Sequence, residues 1–175
     1  MQKKKVKYVA YVVTSIDGKI ARSGQSGTDW ASKEDWNFFQ KSLTKIDAVI
    51  VGYNTYKVSR DRLKRRNTVV LTSKVNKLKI QGRTVFFNPE KSDLKKFIQG
   101  KKYRKIAVLG GASVYNFCLH NNILDELFVT IEPYVFTSGV PMFLGNKFKK
   151  YRFSLQSVKK LNKKGTILLH YKNGN

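Results

Sequence analysis

The tightest constraint on this chain is an apolar run that stops on two glycines: Ile106-Ala107-Val108-Leu109-Gly110-Gly111-Ala112-Ser113-Val114-Tyr115. Four apolar residues read as a buried strand, and Gly-Gly followed by small residues and then Val-Tyr-Asn-Phe reads as a tight turn into a helix. Without a Cβ, Gly110 and Gly111 let a ligand approach the backbone. The free N–H groups and positive dipole end of the first helical turn favour an anion there. A lone Gly-Gly also fits an ordinary strand-to-helix turn, so other segments have to decide between the two.

At 175 residues the chain fits one domain, residues 1–175, large enough to bury a real core. Its apolar runs are short, none nears the ~18 residues of a membrane span, and Met1-Gln2-Lys3-Lys4-Lys5 leads into a strand without an apolar leader segment. The expectation is a cytoplasmic protein with no membrane contact. Cys118, between Phe117 and Leu119, is the single cysteine; it excludes an internal disulfide and reads as a core residue on a helix face. The net charge of +24 raises nucleic-acid binding as a hypothesis. However, the lysines are scattered from Lys3 to Lys164 and form no zinc-finger, RNP or KH pattern. A solvated basic surface is the expectation, and such a field still attracts an anionic cofactor or substrate. His120 and His170 show no metal-ligand spacing, so no metal is expected.

Strands are read at Val6 to Val13, with Tyr8, Ala10 and Val12 on one face, and at Asp47 to Gly52, Asn67 to Leu71, Thr84 to Phe87, Ile106 to Leu109 and Asp125 to Ile131. Ser32 before Lys33-Glu34-Asp35 reads as an N-cap with an acidic first turn, and Trp36, Phe39, Gln40 and Leu43 follow at helical spacing. Asn54-Thr55 can cap a helix from near Tyr56, and Ser92 to Ile98 is a further helix. Tyr151 to Ser157 and Thr166 to Tyr171 read as an antiparallel pair joined through Asn162-Lys163-Lys164-Gly165. Helices alternate with strands early and strands dominate late. The expected fold is a single α/β domain: a central mixed, mostly parallel twisted sheet flanked by helices, with a C-terminal antiparallel strand pair and ligand at the carboxyl ends of the parallel strands.

Three strand ends carry the same kind of chemistry. Val51-Gly52-Tyr53-Asn54-Thr55 is a strand, a glycine and a helix cap; Leu71-Thr72-Ser73-Lys74 ends in hydroxyls and a cation; Leu109-Gly110-Gly111-Ala112-Ser113 is the third. Each alone fits an ordinary turn. Together they suggest a dinucleotide cradle, with a pyrophosphate across two helix N-termini and Thr72, Ser73 and Lys74 at the 2′-phosphate that distinguishes NADPH from NADH.

On these residues the chain resembles the dihydrofolate reductase-like superfamily, which includes dihydrofolate reductase and the pyrimidine reductase of riboflavin biosynthesis. The resemblance runs over about residues 6 to 145 and is carried by Ser15-Ile16-Asp17-Gly18-Lys19-Ile20-Ala21, Asp47 to Gly52 with Thr55, Arg65-Arg66-Asn67-Thr68-Val69-Val70-Leu71-Thr72 and Gly110 to Tyr115. Leu124-Asp125-Glu126-Leu127, Glu132-Pro133 and Ser138-Gly139-Val140-Pro141-Met142-Phe143 look especially like the pyrimidine-reductase branch. The resemblance implies NADPH as cofactor, with Ile20 and Ala21 at the nicotinamide, Gly52, Tyr53 and Thr55 at the phosphates, and Gly110, Gly111, Ala112, Ser113, Val114 and Tyr115 across the cofactor. It further implies a substrate pocket of Val12, Trp30, Asp35, Phe39 and Arg65, with Asp35 as catalytic acid and Thr130 supporting it. A first-turn carboxylate that merely complements the helix dipole, and a threonine that merely favours a strand, are the plainer readings of those last two residues.

Leu109 and Arg65 bear on the substrate. Pyrimidine reductases of this superfamily usually carry a glutamate directly before the glycine pair, where this chain has Leu109, and their Asp-Asp-Pro element is replaced by Ser59-Arg60-Asp61-Arg62. Arg65 suits the carboxylate tail of a folate or a ribityl phosphate. Departures in the other direction are Tyr53, in place of a basic residue at the cofactor phosphate, and the loop around Trp30, which is closer to the riboflavin branch. The expectation is NADPH-dependent reduction of dihydrofolate, a small-molecule substrate. The alternative is a stand-alone reductase of a ribosylamino-pyrimidine phosphate, and a third reading is a basic nucleic-acid-binding module on a degenerate reductase fold. Homodimers in the riboflavin branch suggest Val135 to Phe143 as an interface.

Overall fold

The computed structural model describes residues 5–145 and 147–174; the lysines at positions 3 and 4 of the basic start lie outside them. In chain order the elements are β1 (Lys7–Thr14), β2 (Lys19–Ala21), α1 (Lys33–Leu43), β3 (Ala48–Gly52), α2 (Tyr53–Leu63), β4 (Thr68–Leu71), β5 (Leu78–Gln81), β6 (Thr84–Phe87), α3 (Leu94–Gly100), β7 (Lys105–Val108), α4 (Ala112–His120), β8 (Glu126–Ile131), β9 (Val140–Pro141), β10 (Phe153–Lys160) and β11 (Ile167–Asn173). Nine strands form one sheet in the order β10-β11-β8-β1-β7-β3-β4-β6-β5, and β2 pairs with β9 in a small second sheet.

The six strands from β8 to β6 run parallel, while β5 and the β10–β11 pair are antiparallel at the two edges. The parallel strands are short Val/Ile/Ala runs because helices cover both faces, and such strands need no polar side. β1 shows this division: Tyr8, Ala10 and Val12 enter one core with Ile50, Val108 and Tyr115, whereas Val9 and Tyr11 enter a second with Val49, Val51 and Tyr56. Cys118 lies in the first core without exposure, as expected, and burial pushes its thiol up to about 12.

Several boundaries differ from the sequence reading. α2 starts at Tyr53 rather than near Tyr56, because Gly52 serves as N-cap and the strand runs directly into the helix. A Cβ on Gly52 would come within 3.2 Å of Val114 Cγ2, so this close approach favours glycine. α3 is capped by Asp93, whose carboxylate accepts from Lys96 N–H at 3.1 Å. β5, Leu78-Lys79-Ile80-Gln81, alternates apolar and polar residues over only four positions and is exposed throughout, too short a pattern to stand out; Gly82, at φ +58, turns it into β6. Met142 and Phe143 of the expected interface segment pack against the core. Among the described residues no helix is long and apolar enough to cross a membrane, and no cluster of His, Cys, Asp and Glu could hold a metal ion.

Candidate active site

A cavity of about 710 Å³ opens at the carboxyl ends of the parallel strands, where strand ends and helix N-termini converge. One half is built by the three strand ends singled out above. Gly52 N–H donates to Gly110 O at 2.7 Å and Leu109 N–H to Ile50 O at 2.9 Å, which ties the two glycine turns side by side. The Gly110–Gly111 peptide is cis, and Gly110 has φ +91. A Cβ on Gly110 would stand 2.8 Å from Tyr115 Cε2, and Tyr115 is fixed by its hydroxyl, which donates to Tyr11 O at 2.7 Å.

The helix caps separate this end from the rest of the fold. α1 and α3 have side-chain caps, Ser32 and Asp93, but α2 and α4 have glycine caps, no side-chain hydrogen bond and no acid in the first turn. The N–H groups of these first turns and both positive dipole ends are left for an anion. Beside them Lys74 Nζ lies 4.2 Å from the centre of the Tyr53 ring, and Lys74 N–H donates to Thr72 Oγ1 at 3.2 Å. Ile20 and Ala21 of β2 border the same space together with Val140. Gly139 holds that sheet close, since a Cβ there would fall 2.6 Å from Ala21 O.

The other half contains Asp35, the only carboxyl among the lining residues described, with Val12, Thr130 and an aromatic wall of Tyr11, Trp36, Phe39 and Phe128. Asp35 is partly buried on α1. Loss of water raises its carboxyl from 3.8 to about 6, opposed by the Thr130 hydroxyl and assisted by the negative charge of Glu132. The guanidinium of Arg62 stacks on Trp36 at 4.8 Å, and Arg66 Nη1 donates to Leu43 O at 3.0 Å while lining the cavity.

Most of the residues expected at the site meet here: Val12, Ile20, Ala21, Asp35, Phe39, Gly52, Tyr53, Thr55, Thr72, Ser73, Lys74, Gly111, Ala112, Ser113, Tyr115 and Thr130 all line the cavity. Gly110 and Val114 shape it from behind. Trp30 is not part of the wall; it packs edge-on against Phe136 at 4.9 Å, and its indole N–H is buried without a partner. Arg65 requires correction. It is exposed before the amino end of β4 and borders a separate 160 Å³ depression with Asp47, Asn67 and Arg83. Its neighbour Arg66 borders that depression too, but also lines the cavity, which Arg65 does not. Arg62 was also missed, although Thr55, Val58, Ser59 and Arg62 stand at helical spacing and anchoring Thr55 to the cavity directs Arg62 into it.

The model of the RibD C-terminal domain matches residues 7–167, nearly the whole chain. The chain belongs to the RibD C-terminal domain family. It is therefore a member of the dihydrofolate reductase-like superfamily that the motifs suggested. Among relatives, the uncharacterized protein YwjB of Bacillus subtilis (strain 168) is 27% identical over 179 residues, covering 94% of this chain and 97% of that protein. Among solved structures, a pyrimidine reductase-like protein from Corynebacterium diphtheriae superposes with a TM-score of 0.76 at 16% identity, covering 98% of this chain and 93% of the other. A dihydrofolate reductase from Enterococcus faecalis, complexed with NADP(H) and an inhibitor named RAB-propyl, gives 0.67 at 21% identity, with 97% of each chain covered. At these identities the structural likenesses establish the fold.

Proposed function

We propose that this family member is an NADPH-dependent reductase whose substrate is 5-amino-6-(5-phosphoribosylamino)uracil. The observation that carries this reading is the two-ended cavity: uncapped helix N-termini and Lys74 at one end, Asp35 with Arg62 and Arg66 at the other. The family match favours the pyrimidine substrate over folate.

The residues present fit NADPH. Two glycine caps without acids suit a pyrophosphate, and Thr72, Ser73 and Lys74 suit a 2′-phosphate, with Tyr53 supporting the lysine through cation–π contact at 4.2 Å. When bound, NADPH supplies the reducing equivalents. Ile20 and Ala21 border the nicotinamide end and limit water there. The substrate's pyrimidine stacks within the aromatic wall, and Arg62 and Arg66 pair with its phosphate. Reduction at a carbon bonded to nitrogen also requires a proton, and Asp35, titrating near 6, is suited to deliver it at neutral pH directly or through one water.

Dihydrofolate is a second reading, and specific residues favour it. Leu109 replaces the acid usual beside the glycine pair in pyrimidine reductases, and the Asp35–Thr130 pair in an apolar pocket suits a protonation next to a reduced C=N bond. Steady-state NADPH oxidation with each substrate separately decides between them. Turnover of the ribosylamino-pyrimidine phosphate at a kcat/KM at least tenfold above that of dihydrofolate is expected; the reverse order overturns the proposal.

A further inference from the structure

A second carboxylate lies behind the first. Glu132, just beyond β8, is 2% exposed and lines neither the cavity nor the surface. Both of its oxygens are engaged: Oε1 accepts from Ser32 N–H at 2.7 Å, and Oε2 accepts from the Thr166 hydroxyl at 2.6 Å. Its own N–H donates to Thr14 O at 2.8 Å, which joins it to the end of β1. Ser32 is the N-cap of α1, and its hydroxyl accepts from Asp35 N–H at 3.3 Å. A buried charge is costly unless it is paired or fully hydrogen-bonded, so a glutamate retained here points to a task that a neutral residue would not perform.

The contacts extend outward to the C-terminal hairpin. Asn162 Nδ2 donates to Thr166 Oγ1 at 2.9 Å and to Glu34 Oε2 at 3.2 Å. Asn162 Oδ1 in turn accepts from the N–H groups of Lys164 and Thr166, at 3.0 and 3.2 Å. The first turn of α1 is thus held at two points, Ser32 through Glu132 and Glu34 through Asn162. Both points lead to the β10–β11 hairpin, Asn162 directly and Glu132 through Thr166, and this hairpin contributes no residue to the cavity lining.

We propose that Glu132 is a positioning residue for Asp35: its buried carboxylate pins the start of α1 to the β10–β11 hairpin and sets a fixed negative charge behind the active-site acid. The inference rests on the reading of Asp35 as the acid of a reductase. The polar and charged groups around the two carboxyls come from every neighbouring element: Ser32, Lys33 and Glu34 on α1, Thr130 on β8, Asn162, Lys164 and Thr166 on the hairpin, and Arg62 of α2 through its stack on Trp36. Thr130 and Glu132 act on Asp35 in opposite senses, so the balance between them depends on Glu132 keeping its charge and its place.

The test is Glu132→Gln, which retains the shape and an acceptor for Ser32 N–H but removes the charge. Two measurements are made: the pH profile of kcat/KM, and the titration of the Asp35 carboxyl followed by carbon NMR on the protein without substrate. The expected result is that both move to lower pH by about half a unit or more, as removal of a nearby like charge requires at an effective dielectric of about 20. An unchanged Asp35 titration overturns the proposal, even if melting temperature falls. If Asp35 titration moves but neither substrate turns over, the positioning role stands and the proposed reaction fails. Thr166→Val provides a second route should Glu132→Gln fold poorly: kcat is expected to fall by about fivefold with the KM for NADPH unchanged, and Thr166→Ser to restore it, the size expected for a slightly misplaced acid. Wild-type kcat in Thr166→Val overturns the pinning role.

Discussion

Replacing Asp35 by asparagine should make the protein more stable and nearly inactive, with both effects following from the same buried carboxyl. In the folded chain Asp35 holds its proton up to about pH 6, whereas the unfolded chain releases it near 3.8. Between these values the native state binds a proton that the unfolded state lacks, so stability falls as pH rises through that window and stays lowered above it. A displacement of this size corresponds to about 3 kcal/mol at neutral pH. Asparagine carries no charge and avoids that cost, but its amide brings N–H groups that Thr130 satisfies only in part. The net gain should therefore be about 1–3 kcal/mol at pH 7.5, shrinking to nothing near pH 3. For a domain of this length that is a rise in melting temperature of about 3–10 °C. Denaturant unfolding of both proteins from pH 3.5 to 8, beside kcat/KM at each pH, tests it. The variant should lose about 10²-fold or more in kcat/KM at neutral pH and recover partly in acid, where solvent supplies the proton. A variant no more stable than the wild type at pH 7.5, or a gain that does not vary with pH, refutes the reasoning.

Three further outcomes follow from the cavity. Arg66→Ala should raise the substrate KM by about tenfold or more while Arg65→Ala leaves it within about twofold, because Arg66 lines the cavity and Arg65 does not; equal effects would remove the distinction. Ser113→Asp places an acid in the first turn of α4, so it should stabilise the free protein by about 0.5 kcal/mol yet weaken NADPH binding by about tenfold, read by melting curves and by quenching of intrinsic fluorescence. Tighter binding in that variant would exclude the glycine-capped terminus as a phosphate site. Raising salt from about 0.05 to 0.5 M should slow NADPH association several-fold, given the net charge of +24, while leaving the Asp35 titration within a few tenths of a pH unit; association independent of salt would deny the surface charge any role in capture.

The parts of this fold that are buried on both sides were legible in the sequence, and the parts held by remote contacts were not. β1, β3, β4, β6 and β7 are runs of Val, Ile, Leu, Phe and Ala punctuated by glycine or polar residues, and their continuous hydrophobicity is what a parallel sheet covered by helices requires. β2, β5 and β9 are two to four residues long, and β2 and β9 exist only because each supplies the other's backbone partners. No local pattern encodes such a pairing. The cofactor end was readable because glycine is a conformational signal in itself: Gly52, Gly110 and Gly111 stand where a Cβ would meet Val114, Tyr115 or Thr55. The substrate end was only half readable. Asp35 and Phe39 share a helix face with the N-cap, but Arg65 and Arg66 are adjacent, and only the geometry of the turn between α2 and β4 selects which of them faces the cavity. Glu132 gave no local signal, since its partners Ser32 and Thr166 lie 100 and 34 residues away.

The electrostatics of the chain make Asp35 stand out further. With 35 cationic side chains against 11 carboxyls, the whole-protein field favours ionised acids. Asp17, Glu34 and Asp61 lie below their ordinary values, mainly through hydrogen bonds from Ser15, Asn162 and Lys64, and Glu126 does so despite its burial because Lys7 and His170 outweigh it. Asp35 moves the opposite way. Its lift is therefore a local effect that overcomes the global one: an apolar wall that removes water, with only a neutral hydroxyl opposing it and a second carboxylate behind it. The same chain concentrates uncapped helix N-termini and Lys74 at the far end of the cavity, where the positive field is unopposed. One cavity thus holds a region selective for anions and a region that keeps a proton near neutrality. Reduction of a C=N bond by an anionic cofactor needs both, a cofactor held at one end and a proton at the other, and neither a nucleic-acid groove nor a plain binding pocket requires the second.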